Sequence, residues 1–97
     1  MKLLIQTQVY ENYGTAKIPH WKAKGGEDYF VPNVSNDAEA TMAVMALRDD
    51  IEQANDFYTE TIISWDLVSD DYRTQFERDQ LEHQGQITYP AKEIAWV

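Results

Sequence analysis

The spacing of apolar residues changes along this chain, and that change constrains the fold more than any other feature. Residues 2–10 and 59–68 alternate between apolar and polar side chains, which is typical of half-buried strands. The apolar faces of these strands contain Leu3, Ile5, Thr7 and Val9, then Thr61, Ile63, Trp65 and Leu67. Glu60, Ser64 and Asp66 fall on the opposite face of the second strand.

Between these strands, apolar residues recur every three or four positions, which predicts a helix over about 37–55. Asn36 is the expected N-cap, with Glu39 completing a capping box. The predicted buried stripe contains Ala40, Val44, Leu47, Ile51, Ala54 and Tyr58, and Met42 and Met45 widen it.

A hairpin is predicted over residues 20–34, because Gly25-Gly26 is typical of tight type I′ or II′ turns. A second helix is predicted over about 70–84, capped by Ser69 or Asp70 and ended by Gly85. Its few apolar residues are Tyr72, Phe76 and Leu81.

Residues 87–97 complete the chain as a strand with Ile94, Trp96 and Val97 as expected anchors. The order is strand, strand, strand, helix, strand, helix, strand (β-β-β-α-β-α-β). We therefore expect one α+β domain over residues 1–97, with a mixed sheet of about five strands and two helices on one face.

The chain has 97 residues and no cysteine, so thiolate metal sites and disulfides are excluded. No apolar run reaches the length of a membrane span, and no signal-peptide pattern is present, so we expect a soluble, cytoplasmic protein. Eight basic and 17 acidic residues give a net charge of −9, which argues against direct nucleic-acid binding. Residues 1–34 carry four lysines and three acids, a net of +1, whereas residues 35–97 carry four basic and fourteen acidic residues, a net of −10.

Catalytic and metal-binding patterns are weak. The histidines His20 and His83 lie in different predicted elements, and the acidic pairs lack the ligand spacing of a calcium loop. The three serines show no nucleophile-elbow context. The sequence therefore predicts no cofactor, no metal site and no catalytic residue, and favours a non-enzymatic protein.

Two candidate functional surfaces remain. The first is an acidic face formed by both predicted helices, whose carboxylates would imitate DNA phosphates and meet a basic protein surface. Its members are Asp49, Asp50, Glu52, Asp56, Asp70, Asp71, Glu77, Asp79 and Glu82. The alternative interpretation is a solvated face that keeps a small protein soluble.

The second candidate is the region from Tyr10 to Tyr29, where aromatic, amide and lysine side chains gather. Such groups are common at interfaces and would also suit a small anionic ligand such as a nucleotide or metabolite. Its candidate contact residues are Asn12, Tyr13, His20, Trp21, Lys22 and Lys24. The alternative interpretation is that Tyr13 and Trp21 cover the open end of a small core.

The stretches Glu11-Asn12-Tyr13-Gly14 and Trp21-Lys22-Ala23-Lys24-Gly25-Gly26 resemble small bacteriophage-encoded proteins of unassigned activity, over roughly the first third of the chain. The resemblance implies a phage or mobile-element source and the cytoplasm of a bacterial host cell. It also implies, by association, an inhibitor of a host or defence protein.

Three functional hypotheses follow. The leading one is a phage-type interaction protein that inhibits a host or defence protein, such as a nucleic-acid-handling enzyme, through an acidic DNA-mimic surface. The second is a binding protein for a small anionic ligand that uses the Tyr10–Tyr29 region. The third is an antitoxin-like or assembly module that acts as a homodimer through an exposed edge of the final strand.

Overall fold

The computed structural model describes residues 1–96, which form one small α+β domain with two helices and a curled mixed sheet. The predicted fold class is confirmed. The elements are β1 (Lys2–Asn12), β2 (Trp21–Ala23), β3 (Asp28–Pro32), α1 (Asp37–Ile51), β4 (Gln53–Ala54), β5 (Tyr58–Val68), α2 (Gln75–Gln84) and β6 (Lys92–Glu93).

Strand β1 is the centre of the sheet, whose order is β4-β5-β1-β3-β6, with β2 also paired to β1. Lys2 of β1 is registered with Val68 of β5 on one side and with Pro32 of β3 on the other, and both pairings are antiparallel. β6 pairs parallel with β3, which makes the sheet mixed. One strand therefore connects nearly every part of the fold.

The predicted hairpin around Gly25-Gly26 is wrong, because β2 and β3 pair with β1 and not with each other. The glycines lie between them along the edge of β1, where Val9 N–H donates to the Gly25 carbonyl at 2.8 Å. Gly25 adopts a φ of +81°, and a Cβ at Gly26 would overlap the Thr7 carbonyl. The pair thus bends one edge of the sheet, whereas residues 13–20 form the turn that joins β1 to β2.

The main core lies between α1 and one face of the sheet, which carries Leu3, Ile5, Tyr29 and Val31. The predicted helical stripe is confirmed at Ala40, Val44, Leu47 and Ile51, and Asn36 is the N-cap. The helix ends at Ile51, so Ala54 and Tyr58 belong to strands. Met42 and Met45 are 58% and 71% exposed, so the prediction that they widen the stripe is wrong.

A bulge in β5 changes which of its residues face α1. Gln6 is registered with Ser64 but the next residue, Thr7, with Ile62, so Ile63 is the extra residue. The predicted face Thr61–Ile63–Trp65–Leu67 is therefore interrupted. Ile62 and Leu67 pack against the core, whereas Ile63 is 61% exposed.

Helix α2 begins five residues later than the start predicted at residue 70. Thr74 is its N-cap and forms a capping box with Glu77, and Gly85 ends the helix as predicted. The sequence predicts that this helix packs through a narrow stripe at Tyr72 and Phe76, and this is wrong, because Tyr72 precedes α2 and Phe76 is exposed. Its buried residues are instead Glu77 and Gln80.

The two helices do not share one core. Gln80 bonds to the main chain of Thr88 and Tyr89, so α2 packs on the segment that leads into β6. The α1 core contains no residue of α2. Just before α2, Tyr72 packs edge-on against Phe30, whose side chain alternates with those of Tyr29 and Val31 and so lies on the opposite sheet face.

The predicted final strand is reduced to Lys92–Glu93, although Ile94 and Trp96 pack against the core as expected. The third expected anchor, Val97, lies outside the described residues. The fold measures 45 × 36 × 17 Å and has a radius of gyration of 15.3 Å. A compact domain of this length has a radius of about 12.5 Å, so this protein is a thin slab.

Candidate protein-interaction surface

Five large apolar side chains are exposed where β1 ends, and we call this surface the aromatic end. Its members are Tyr10, Tyr13, Ile18, Trp21 and Phe57. They come from three segments: β1 with its following loop, the start of β2, and the turn between β4 and β5. Sequence reasoning identified the first two segments and missed Phe57, which lies between the predicted helix and strand and joins this surface only through a long-range main-chain bond to Asn12.

Main-chain pairing around Asn12 brings these segments together. Trp21 of β2 is registered with Asn12, and Asn12 N–H donates to the Phe57 carbonyl at 2.9 Å. The main chains of Trp21 and Phe57 therefore flank the same residue of β1. Tyr10, two residues earlier on β1, shares the Asn12 side of the strand.

The Asn12 side chain is buried and uses its full set of polar atoms inside the protein. Its Nδ2 donates to the Thr15 carbonyl at 3.0 Å and to the Asp56 carbonyl at 2.8 Å. Its Oδ1 accepts from the N–H groups of Gly14 and His20, both at 2.8 Å. An amide makes about four such bonds. Asn12 therefore holds the loop in place and is not available to a ligand.

The loop over residues 13–20 has further internal bonds. Tyr13 N–H donates to the His20 carbonyl, and Thr15 N–H to the Ile18 carbonyl, each at 3.0 Å. A Cβ at Gly14 would overlap the Ile18 carbonyl, so the chain crosses itself closely there. Tyr13 and Ile18 are thus displayed on an ordered loop, and side chains fixed in this way lose little freedom on binding.

Two lysines of this region, Lys22 and Lys24, have partners within the protein. Lys24 Nζ lies 3.0 Å from Glu11 Oε1, and this hydrogen bond lowers the pKa of Glu11 and raises that of Lys24. Lys22 Nζ lies 5.7 Å from the centre of the Tyr13 ring. His20 is exposed in the loop before β2. Because the ammonium groups of Lys22 and Lys24 are directed at different protein groups, the two lysines do not converge on one anion site.

The predicted acidic residues around α1 have different roles. Asp49 and Asp50 are exposed on the last turn of the helix, and Asp56 is exposed in the turn before β5. Glu52 is only half-exposed, because its carboxylate accepts from Ile62 N–H at 2.9 Å. Three of these four residues are therefore open to a partner.

The predicted acidic residues around α2 lie elsewhere. Asp70 and Asp71 border a groove with Lys2 and Phe30, which belong to the sheet face opposite α1. Glu82 is exposed, and Asp79 accepts from a glutamine one turn earlier. The carboxylates of the two helix regions thus do not form one continuous face.

Glu77 needs a correction of its own. It is 6% exposed, so it is not a surface carboxylate. Its Oε1 accepts from Thr74 N–H at 3.0 Å and its Oε2 from Ala91 N–H at 3.2 Å. Glu77 therefore caps α2 and ties the helix to the segment before β6.

A buried carboxylate, Glu60, escaped sequence reasoning. Its Oε2 accepts from Thr7 Oγ1 at 2.8 Å and from Tyr29 OH at 2.7 Å, and its Oε1 accepts from Tyr58 OH at 3.2 Å. Burial and the Glu60 carboxylate raise the pKa of both tyrosines. The available signal was the adjacent pair Ile62-Ile63, which breaks the alternation of β5. Glu60 is enclosed, so its cluster is structural rather than a reaction centre.

A second groove, of about 590 Å³, runs between the start of α2 and the edge of β3. The aromatic rings of Phe76 and Tyr89 are exposed along it. Lys92 Nζ lies 3.8 Å from Glu27 Oε2 beside the same groove. Its wide mouth and paired charges make it a weaker candidate than the aromatic end.

Comparison with protein-family models, curated proteins and solved structures found no match to this chain. Neither helix has the length and hydropathy needed to cross a bilayer. Within residues 1–96, no three His, Asp or Glu side chains converge as metal ligands would.

Proposed function

We propose that this protein is a non-enzymatic interaction module that binds a partner protein through the aromatic end. The observation that supports this most strongly is the group of exposed apolar side chains held by the buried Asn12 side chain. Exposed aromatic anchors on a fixed scaffold are typical of binding hot spots. About half of the surface of Trp21 and of Phe57 is exposed to water, and a partner protein would cover this apolar area.

The charges around this surface favour a protein partner over a small anion. Lys24 is paired with Glu11, and Lys22 lies over Tyr13, so both cations form a polar rim around apolar groups. An apolar centre with a polar rim is the usual arrangement of a protein interface. By the resemblance given above, the partner would be a bacterial host or defence protein, and binding would inhibit it.

Capture from a bacterial lysate tests the proposal when variants are compared. The double variant Trp21→Ser/Phe57→Ser removes two anchors, and Phe76→Ser/Tyr89→Ser removes two exposed rings of the groove beside α2. We expect the first variant to lose the captured protein and the second to retain it. Equal capture by both variants would remove the aromatic end from the interface.

The acidic DNA-mimic inhibitor is the second candidate, and the exposure of Asp49, Asp50 and Asp56 favours it. Salt separates the two proposals. Binding through carboxylates weakens steeply between 0.05 and about 0.5 M salt, whereas binding through apolar anchors persists. The variant Asp49→Lys/Asp50→Lys would slow association only if the acidic surface is used.

A further inference from the structure

The outer edge of β5 has no partner strand over most of its length. β4 pairs with β5 only at Thr59 and Glu60, and the Glu52 carboxylate covers Ile62 N–H. From Ile63 onward, no strand of the described residues lies on that side of β5. An unpaired edge presents main-chain donors and acceptors that are ready to bond another strand.

The register shows which residues direct their main-chain groups outward. On β1, Val9 N–H donates to the Gly25 carbonyl, so the even-numbered residues of β1 bond to β5. Leu4 is registered with Asp66, so Asp66 directs its main-chain groups toward β1. The main-chain N–H and C=O groups of Trp65 and Leu67 therefore point away from β1, toward the unpaired edge.

The side chains of this edge also favour pairing. Residues 63–68 contain no lysine and no proline, the residues that commonly protect an edge. Ile63 and Trp65 are exposed, and Asp66 is the only charged residue in the segment. The edge over residues 63–68 is thus largely apolar and carries one charged side chain, in a protein whose net charge is −9.

We propose that a second copy of the protein pairs antiparallel with this edge and that the two-fold axis lies at Trp65. Trp65 then faces the partner's Trp65, and Ile63 faces the partner's Leu67. Trp65 and Leu67 direct their main-chain groups outward, so the two facing Trp65 residues exchange both of their N–H···O bonds, while the bulge at Ile63 interrupts the ladder beyond them. Facing aromatic side chains on adjacent strands also attract each other.

The side chains of this edge are compatible with each other in this register, which favours a second copy as the occupant. With the axis at Trp65, Asp66 faces the partner's Ser64, so each edge carboxylate meets a hydroxyl. An axis at Asp66 would place two carboxylates directly opposite each other, which is destabilising. The arrangement is therefore self-complementary at the edge, although each whole protein carries −9.

That net charge gives the dimer a distinctive salt dependence. Two copies of equal charge repel each other, and salt screens this repulsion over about 8 Å at physiological ionic strength. Added salt therefore strengthens the dimer. Binding of a basic partner by the acidic residues would respond in the opposite direction, so the two cases are distinguishable.

Sedimentation equilibrium across about 1–200 µM protein tests the proposal, because dimer populations depend on concentration. We expect the 11.3 kDa protein to approach twice that mass as concentration and salt rise. Ile63→Lys should weaken the dimer at least tenfold, since lysine protects edges. Ile18→Lys is the matched control, because Ile18 is similarly exposed (68% against 61%) and lies in the aromatic end.

Two substitutions at Ser64 test the register. Ser64→Lys would face the partner's Asp66 and tighten the dimer severalfold, whereas Ser64→Asp would loosen it. A single 11.3 kDa species at every concentration and salt would overturn the proposal. Equal weakening by Ile63→Lys and Ile18→Lys, or equal effects of both Ser64 variants, would also overturn it. Capture of a partner by the aromatic end is independent of these results.

Discussion

The Tyr29 hydroxyl donates to the Glu60 carboxylate at 2.7 Å, and this hydrogen bond joins β3 to β5 across the central strand. The same oxygen accepts from Thr7 of that central strand at 2.8 Å. Three strands therefore meet at one carboxylate that is 3% exposed. Because a buried carboxylate without donors is strongly unfavourable, these hydroxyl groups stabilise the fold by donating to Glu60.

Removing the Tyr29 hydroxyl should destabilise the protein. Tyr29→Phe leaves Glu60 with one donor fewer, and hydrogen bonds to charged groups contribute about 1.5–3 kcal/mol. Urea denaturation would measure the change in the free energy of unfolding. Tyr10→Phe is the control, because Tyr10 is exposed, and a loss below about 0.5 kcal/mol for Tyr29→Phe would contradict the expected role of the bond.

Stability should also fall in alkaline solution because of Tyr29. Its pKa is raised in the fold by burial and by the Glu60 carboxylate. The unfolded chain therefore loses this proton first, above about pH 10, and each further pH unit costs about 1.4 kcal/mol until the folded pKa is reached. The contribution is fully present below pH 10. Urea denaturation from pH 8 to 11 should show a smaller loss for Tyr29→Phe, and identical pH profiles would contradict this.

Asn12→Ala should loosen the aromatic end more than it destabilises the whole fold. The substitution removes four hydrogen bonds and leaves the Gly14 and His20 N–H groups without their acceptor. Hydrogen exchange should accelerate at these two amides, with a loss of about 1–3 kcal/mol in stability. Gln53→Ala is the control, because Gln53 is an exposed residue of β4 and its substitution should leave exchange at Gly14 and His20 unchanged. Unchanged exchange at Gly14 would show that the loop is held by other contacts.

The adjacent glycines Gly25 and Gly26 should differ in how well they tolerate substitution by alanine. At Gly26, the new Cβ would overlap the Thr7 carbonyl, and the sheet must shift to accommodate it. At Gly25, the Cβ meets open space and the only penalty is the positive φ, about 1–2 kcal/mol. Thermal unfolding should therefore rank Gly26→Ala as the more destabilising substitution. The opposite rank would contradict the close approach of the two main chains.

The sequence predicted elements that depend on local periodicity and missed relationships that depend on strand pairing. β1, β5 and the inner stripe of α1 follow from apolar spacing alone. Gly25-Gly26 has the same local preferences in a turn and at a bent sheet edge, and only pairing with β1 distinguishes the two. The shift at Ile63 likewise depends on β1, and it turns Glu60 from the expected outer face toward the core.

The candidate surface was predicted only in part, because one of its segments is brought there by strand pairing. The local composition near Tyr13 and Trp21 identified a region rich in aromatic residues and lysines. Phe57 joins this region through a main-chain hydrogen bond to Asn12, which is 45 positions earlier in the sequence. Glu77 looked like a surface acid because its helix carries few apolar residues. Its burial depends on the main chain of Ala91, which no local pattern reveals.

The 17 Å thickness of the fold has a thermodynamic consequence. A sheet covered by a single long helix removes less apolar surface from water than a rounder domain of equal length, so its reserve of stability is small. A molecule that binds to one of the broad faces then contributes a large fraction of the total free energy of unfolding. Binding therefore stabilises the folded state of such a protein. The first measurable effect of a bound partner would be a higher melting temperature.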